Sequence, residues 1–274
     1  MTEKCPVCGN EMILAFSETL MKKYPVEYLY CGTCGLLKTE KPYWLQEAYQ
    51  QAIAACDTGQ LQRNIANSRM AEAMLHCLFR GKGKFLDVAG GYGILTRLLR
   101  DMGFDCYSMD PYCQNLFAAA FEPEAGFRAN ALFAFEVLEH CENPREFLKN
   151  LFAAYSCKTI LISTLTFSGA IPPKSWWYYA FETGQHISFF QPRTIAFLAG
   201  ALGCRYYRLG PEWHLIADKR LPGMARMVLT WRLPRKLFSL SRHWRRRRMS
   251  RTWSDHLMLK AIGGSKTEKK PSTP

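Results

Sequence analysis

The chain has 274 residues, 48% of them hydrophobic and 14% aromatic, which is enough to bury one large core with a small appendage. No run of about 20 apolar residues occurs, so the sequence predicts no membrane-spanning helix. The formal net charge of +13 is concentrated: residues 219–274 hold 16 Lys and Arg and two acids, whereas residues 1–218 are close to neutral. Eleven cysteines with no signal pattern at the N-terminus predict a cytoplasmic protein.

Two matching cysteine motifs open the chain. Cys5-Pro-Val-Cys8-Gly and Cys31-Gly-Thr-Cys34-Gly are separated by 22 residues. Each motif turns two thiolates toward one point, and two such turns make the tetrahedral four-sulfur site that structural zinc prefers. A redox centre would need one such motif at a helix start, so the pattern favours zinc. We therefore expect a zinc ribbon over residues 1–40, with strand structure over 21–30.

Residues 41–80 follow as a helical lid or linker, with helical spacing of apolar residues from Pro42 to Phe79. This segment contains Arg63. A guanidinium in a lid over a cofactor would pair with a carboxylate, although an arginine here is also explained as a solvated helix residue.

The next stretch has the order strand, glycine turn, helix, strand. Phe85–Val88 is a short apolar run typical of a buried parallel strand, and Ala89–Gly93 is a glycine-rich turn. Helical spacing then runs to Gly103, and a second apolar segment ends on Asp110. Glycines in such a turn let a ligand approach the backbone. A carboxylate about 20 residues further on can accept both hydroxyls of a ribose.

The turn resembles motif I of the class I S-adenosylmethionine-dependent methyltransferases, D/E-x-G-x-G-x-G, with Ala89 in place of the first glycine. The resemblance implies an S-adenosylmethionine site and a Rossmann-like, mostly parallel α/β sheet whose last strand is antiparallel. The expected cofactor-binding residues are Asp87, Ala89, Gly91, Gly93, Asp110, Pro111, Phe135 and Arg63.

The fourth strand of this expected sheet is Ala131–Phe135, and the polar sequence that follows lies at the ligand-binding edge. The sequence F-E-V-L-E-H-x-x-N-P at this position resembles a motif of one methyltransferase group that includes sugar and small-molecule enzymes. Glu136 is therefore a candidate catalytic residue that contacts the cofactor or substrate. Glu139 and His140 have a simpler interpretation, as caps of the next helix.

A long aromatic loop, residues 165–190, follows the fifth strand. Loops of this length after a strand end are more often functional than decorative. Aromatic side chains favour a planar or sugar-like substrate and exclude water. G-Q-H-I-S-F-F resembles the histidine-bearing segment of the same group, which makes His186 the candidate general base. The alternative is a structural histidine that fixes the loop.

The methyltransferase domain is expected over residues 81–218, closed by an antiparallel strand pair. Residues 219–274 then form a basic, partly helical extension with a disordered end. Its segment 219–260 interleaves arginines with Trp, Leu and Phe, which describes a membrane-surface helix as well as a nucleic-acid-binding arm. A solvated helix docked on the catalytic domain explains the same pattern.

Three functions fit these features. The favoured one is methylation of a small molecule or of a glycan precursor such as a sugar. The second is methylation of RNA or protein, recruited by the ribbon and the Arg-rich segment. The third is a non-catalytic interaction protein on a methyltransferase scaffold, held peripherally at a membrane.

Overall fold

The computed structural model describes residues 3–50, 57–230 and 250–266, and a six-stranded sheet forms its centre. The strands of this sheet are β4 (Lys84–Val88), β5 (Asp105–Met109), β6 (Ala131–Phe135), β7 (Thr159–Ser163), β9 (Arg205–Arg208) and β10 (Trp213–Ala217). They lie in the order β5-β4-β6-β7-β10-β9. The first four are parallel, and β10 runs antiparallel to both β7 and β9. The expected mostly parallel sheet with an antiparallel closing pair is confirmed.

Helices cover both faces of the sheet, which explains why its strands read as continuous apolar runs. Within the described residues the α-helices are α1 (Leu45–Ala48), α2 (Gln60–Phe79), α3 (Ile94–Asp101), α4 (Pro144–Tyr155), α5 (Pro192–Ala201), α6 (Gly223–Thr230) and α7 (Thr252–Lys266). Phe85 and Phe133 pack on one face with α2, α3 and α6. Leu86 and Leu132 pack on the other face with α4 and α5. Between β5 and β6 the chain forms only turns and loops.

A second, smaller sheet contains the N-terminal strands β1 (Ile13–Leu20), β2 (Tyr24–Tyr30) and β3 (Leu37–Thr39). The strand expected over 21–30 is present over Tyr24–Tyr30, as the second arm of a hairpin. Met21 and Lys22, with φ of 52° and 56°, form its turn. Two consecutive left-handed residues match the right-handed twist of the flanking strands, which is why the chain reverses there. The fourth strand of this sheet is β8 (Ser188–Phe189), from the aromatic loop.

The segment expected to be helical from Pro42 to Phe79 is interrupted. Helix α1 has one turn, and α2 begins at Gln60 after a turn at residues 57–59, whose polar residues (Asp, Thr, Gly) favour turns over helix. Residues 51–56 lie outside the described part of the chain.

The basic extension returns to the sheet domain. Helix α6 packs against α2, and α7 contacts α3 through Asp255, which is paired with Arg97 and Arg100. The expected interfacial helix falls mostly on residues 231–249, and the expected disordered end on 267–274; both ranges lie outside the described residues. Among the described helices, none has the length and apolar character that crossing a membrane requires.

Candidate active site at the carboxyl ends of the strands

The glycine-rich turn after β4 adopts the conformation that its sequence predicts. Gly91 and Gly93 have φ of 56° and 81°, in the region that favours glycine. Ala89, which replaces a glycine of the motif, also has a left-handed φ of 55°. Alanine is therefore accommodated with backbone strain on the order of 1–2 kcal/mol. Gly90 occupies a variable position of the motif, so the sequence did not indicate that it matters. A Cβ at this position would clash with the side chains of Asp87 and Ser108.

Two buried polar atoms lie beneath this turn. Asp87 is 3% exposed and Ser108 is 1% exposed, and neither Asp87 Oδ2 nor Ser108 Oγ has a hydrogen-bond partner within the described residues. Burial, with a smaller contribution from Asp110, raises the pKa of Asp87 well above its usual range. A protonated Asp87 is a hydrogen-bond donor facing the turn. These unsatisfied groups and the open glycine backbone fit a polar ligand seated on the turn.

Asp110, at the end of β5, connects the turn to the neighbouring loop. Its Oδ2 accepts the Gly91 N–H at 2.9 Å, and its Oδ1 accepts the Tyr112 and Cys113 N–H groups at 2.8 and 2.9 Å. The carboxylate is thus fixed at the ligand-binding edge, with lone pairs left for further hydroxyl donors. Pro111 beside it is exposed.

Arg63 lies at the same edge, between two carboxylates. Its Nε donates to Glu136 Oε2 at 2.7 Å, and its Nη2 donates to both Asp57 oxygens at 2.7 and 2.8 Å. The side chain of Arg63 is 40% exposed. The structure therefore brings together two of the expected residues, Arg63 and Glu136. Any other carboxylate that bound Arg63 would compete with these contacts.

Glu136 occupies a strained position directly after β6. Its φ is 57°, and its N–H donates to the carbonyl and to the hydroxyl oxygen of Ser163, both at 3.0 Å. Burial raises the pKa of Glu136 to about 7, although Arg63 opposes the shift. Non-glycine residues with positive φ cluster at functional sites. Phe135 before it stacks on Phe133, with ring centroids 5.7 Å apart.

His186 lies beside Glu139 and His140, and one possible metal-ligand atom from each residue falls within 4.8 Å of the others. His186 Nδ1 is 2.7 Å from the Tyr178 carbonyl oxygen. Because a carbonyl oxygen only accepts, Nδ1 carries the proton, and Nε2 of the neutral ring is left as an acceptor. His140 Nδ1 likewise lies 3.0 Å from the Gln185 carbonyl, and burial lowers the pKa of His140 to about 3.

The simpler interpretation of Glu139, as a cap of the next helix, is wrong. Its carboxyl group is buried within the cluster that it forms with His140 and His186. Its Oε1 accepts the Tyr178 hydroxyl at 2.6 Å, while its buried Oε2 has no partner within the described residues. Burial raises the pKa of Glu139, and His186 partly opposes the shift. The cap of α4 is Asn143, whose side chain accepts the Glu146 N–H at 3.1 Å. The Asn143-Pro144 pair is the sequence signal that could have found this cap.

Tyrosines complete this side of the site. The Tyr49 hydroxyl lies 2.8 Å from His140 Nδ1, and its ring stacks on Tyr112 at 5.9 Å. Tyr178 contacts His186 with ring centroids 4.7 Å apart. The aromatic content of residues 165–190 indicated a functional loop. The spacing of its tyrosines did not indicate which hydroxyl group would donate to Glu139.

The four cysteines of the N-terminal motifs converge as predicted. Cys5 Sγ lies 3.5 Å from Cys34 Sγ, Cys8 Sγ lies 3.4 Å from Cys31 Sγ, and all four sulfurs fall within 4.8 Å of one another. Tetrahedral zinc with bonds of about 2.3 Å needs sulfur atoms separated by about 3.8 Å. The site is buried at three of its four positions, so the donor set fits a structural zinc ion.

The parallel sheet, the glycine turn after its first strand and the acid after its second define a class I S-adenosylmethionine-dependent methyltransferase fold. The family model described as a methyltransferase domain matches residues 60–209, more than half of the chain. The chain belongs to this family. No curated protein matches it.

Several solved structures resemble the chain at low identity. TnmH is 19% identical with a TM-score of 0.44, over 64% of this chain and 60% of its own. The mitomycin 7-O-methyltransferase MmcR is 16% identical with a TM-score of 0.41, over 63% of this chain and 59% of its own. Human N-acetylserotonin methyltransferase is 14% identical with a TM-score of 0.41, over 65% of this chain and 66% of its own. This chain thus spans about three fifths of TnmH.

Proposed function

We propose that this chain transfers a methyl group from S-adenosylmethionine to a small molecule or glycan precursor, with His186 as general base. The observation that carries the proposal is the orientation of His186, whose Nδ1–H is held by the Tyr178 carbonyl while Nε2 is left to accept a proton. Family membership supplies the reaction class. The near-neutral charge of residues 1–218 favours a substrate without a polyanionic backbone.

The cofactor would rest on the Ala89–Gly93 turn, with Asp110 accepting its ribose hydroxyls and Arg63 near its carboxylate end. When bound, its sulfonium supplies the reactive methyl group. Asp110 is already fixed by three backbone N–H groups, so its lone pairs are oriented before a ligand arrives. Gly91 and Gly93 leave room for close approach of the ligand to the backbone.

His186 Nε2 would take the proton that an oxygen or carbon acceptor loses as the methyl group arrives. The imidazolium that forms lies next to the Glu139 carboxyl group, within the 4.8 Å cluster. In a catalytic triad a buried acid orients the base, whereas here the Tyr178 carbonyl orients the ring. Glu139 would act only by stabilising the charged form of His186. Glu136, with its pKa raised to about 7, is a second proton-exchanging group at the edge.

The domain boundaries remain proposals: zinc ribbon at 1–40, lid or linker at 41–80, catalytic domain at 81–218 and basic extension at 219–274. The ribbon shares a sheet with the aromatic loop. A membrane-surface or nucleic-acid partner for segment 219–260 is also a proposal, and it is carried by the sequence charge alone.

The proposal is tested by incubating zinc-loaded protein and methyl-labelled S-adenosylmethionine with a lysate separated into small-molecule, lipid and polysaccharide, RNA, and protein fractions. We expect label in the small-molecule or glycan fraction. His186→Asn should lower the initial rate by about 10²–10⁴-fold, the usual contribution of a general base. His256→Asn is the matched control, because His256 is exposed on α7 and stacks only on Trp253 among the rings described.

Other outcomes select the other functions. Label in RNA or protein would replace the small-molecule substrate with a macromolecular one. No label in any fraction, together with no cofactor binding, would identify a non-catalytic scaffold. Asn130 stands where the methyltransferase group with the F-E-V-L-E-H-x-x-N-P motif usually has Asp, but its position gives the non-catalytic reading no support. It lies at the start of β6, at the opposite edge from the site, where its Oδ1 accepts the Lys84 N–H at 2.9 Å.

A further inference from the structure

The residues that follow His186 belong to the sheet of the zinc ribbon. Strand β8 pairs antiparallel with β3, with Leu37 opposite Phe189 and Lys38 opposite Ser188. The Thr39 N–H also donates to the Ile187 carbonyl at 2.9 Å. His186, the candidate base, therefore comes one residue before a segment that is hydrogen-bonded to β3 of the ribbon.

Further contacts hold the same loop, from the ribbon and from the segment directly after it. The Trp44 indole N–H, in a side chain only 1% exposed, donates to the Gly184 carbonyl at 2.8 Å. The Met21 N–H donates to the Phe181 carbonyl at 2.8 Å. The Tyr28 ring packs against Phe181 and other loop aromatics. The loop and the ribbon thus share one aromatic core.

The catalytic domain holds the loop from the opposite side. The Ile187 N–H donates to the Glu139 carbonyl at 2.8 Å, and the Ser188 hydroxyl donates to the Cys141 carbonyl at 2.7 Å. The loop therefore lies between two supports, and its position depends on both. One support is the sheet domain, and the other is the small ribbon that carries the four-cysteine cluster.

The second cysteine motif connects directly to this ribbon support. Leu37, the first residue of β3, comes three positions after Cys34. The Cys34 carbonyl accepts the Thr194 hydroxyl at 2.8 Å, and the Cys31 N–H donates to the Leu36 carbonyl at 2.8 Å. Metal binding to Cys31 and Cys34 would fix the chain immediately before the strand that pairs with β8.

We infer that the four-cysteine ribbon is a positioning element for the active site: zinc holds β3 in register with β8 and thereby fixes His186 against Glu139. Trp44 is a second positioning residue, because it anchors the loop two residues before the histidine. The inference rests on the proposed function in taking His186 as the base. Positioning errors of about 1 Å far from the chemistry can lower rates by about 10²-fold, which sets the size of the expected effect.

The test compares hydrogen exchange, cofactor affinity and methyl transfer in the full chain, zinc-loaded and after zinc chelation. Without zinc we expect amides 187–190 to exchange at least about 10-fold faster, while amides 131–135 of β6 keep their protection as the internal reference. The dissociation constant of S-adenosylmethionine should change by less than about 2-fold, because the ribbon does not contribute to the glycine turn. The methyl-transfer rate should fall by about 10²-fold.

Trp44→Phe provides a variant that keeps the zinc ligands and most of the packing while it removes the indole donor to Gly184. It should raise exchange at 187–190 in the zinc-loaded protein and lower the transfer rate with cofactor affinity retained. Unchanged exchange at 187–190 after zinc removal would overturn the positioning role. If exchange responds to zinc but His186→Asn leaves methyl transfer intact, His186 is not the base and the proposed function fails instead.

Discussion

The attachment of α7 to the catalytic domain offers the strongest single test of the packing. Asp255 is 4% exposed and accepts three guanidinium hydrogen bonds, from Arg100 Nε at 2.8 Å, Arg100 Nη2 at 2.7 Å and Arg97 Nη2 at 2.9 Å. Arg100 is itself 3% exposed. Asp255→Asn keeps the shape of the side chain and removes its charge, which leaves a buried cation without its main partner.

The cost of removing one partner from a buried ion pair is about 3–5 kcal/mol. Arg100 keeps part of its compensation, because it also bonds to Asp105 at 3.1 Å and lies 3.5 Å from the Phe121 ring centroid. We therefore expect the free energy of unfolding to fall by about 3 kcal/mol, the lower end of that range. The assay is urea denaturation of the zinc-loaded chain.

The matched control breaks an exposed pair. Lys149 and Glu146 lie 3.5 Å apart with side chains 65% and 50% exposed, so Glu146→Gln should change stability by less than about 0.5 kcal/mol. Burial raises the pKa of Asp255, but the guanidinium groups of Arg100 and Arg97 lower it by more. The net shift of the pKa is therefore downward. Its charge therefore stabilises the fold at neutral pH, and this stabilisation is lost as pH falls through the lowered pKa. A change below about 1 kcal/mol at neutral pH for Asp255→Asn would refute the reasoning.

Three further predictions follow from the site. Ala89→Gly should raise the free energy of unfolding by up to about 1 kcal/mol in urea denaturation, because glycine relieves the left-handed strain at φ 55°; a loss of stability would contradict this. Arg63→Met should raise the pKa of Glu136 above about 7, because the opposing charge is removed, and NMR titration of carboxyl-labelled protein should show protonation at higher pH; an unchanged or lowered pKa would refute it. Elemental analysis should find about one zinc ion per chain, lost in Cys31→Ser. A second metal equivalent that disappears in His186→Asn would instead assign metal to the cluster of His186, Glu139 and His140.

The sequence predicted the parts of the site that local patterns encode. Glycine placement and an acid at a strand end predicted the turn and Asp110, because backbone conformation there depends on residues within a few positions. The cysteine spacing predicted the four-sulfur cluster because each motif presents two thiolates locally, and one tetrahedral ion accepts both pairs.

The remaining parts depend on contacts between distant segments. Tyr178 bonds to Glu139 across 39 residues, and β8 joins β3 across about 150 residues. No period or spacing encodes such pairs, so Glu139 was interpreted locally as a helix cap. Asp255 was likewise one acid in a basic segment, and only the fold places it between two arginines of α3.

Equilibrium binding of S-adenosylmethionine tests the central claim, that the turn after β4 and Asp110 form a methyltransferase cofactor site. Calorimetry on the full chain should show one site, and Asp110→Ala should weaken binding by at least about 10-fold, because about 1.4 kcal/mol or more of hydrogen bonding to the ribose is lost. His186→Asn should bind the cofactor as the wild-type chain does. Absence of binding, or equal binding by Asp110→Ala, would contradict the account.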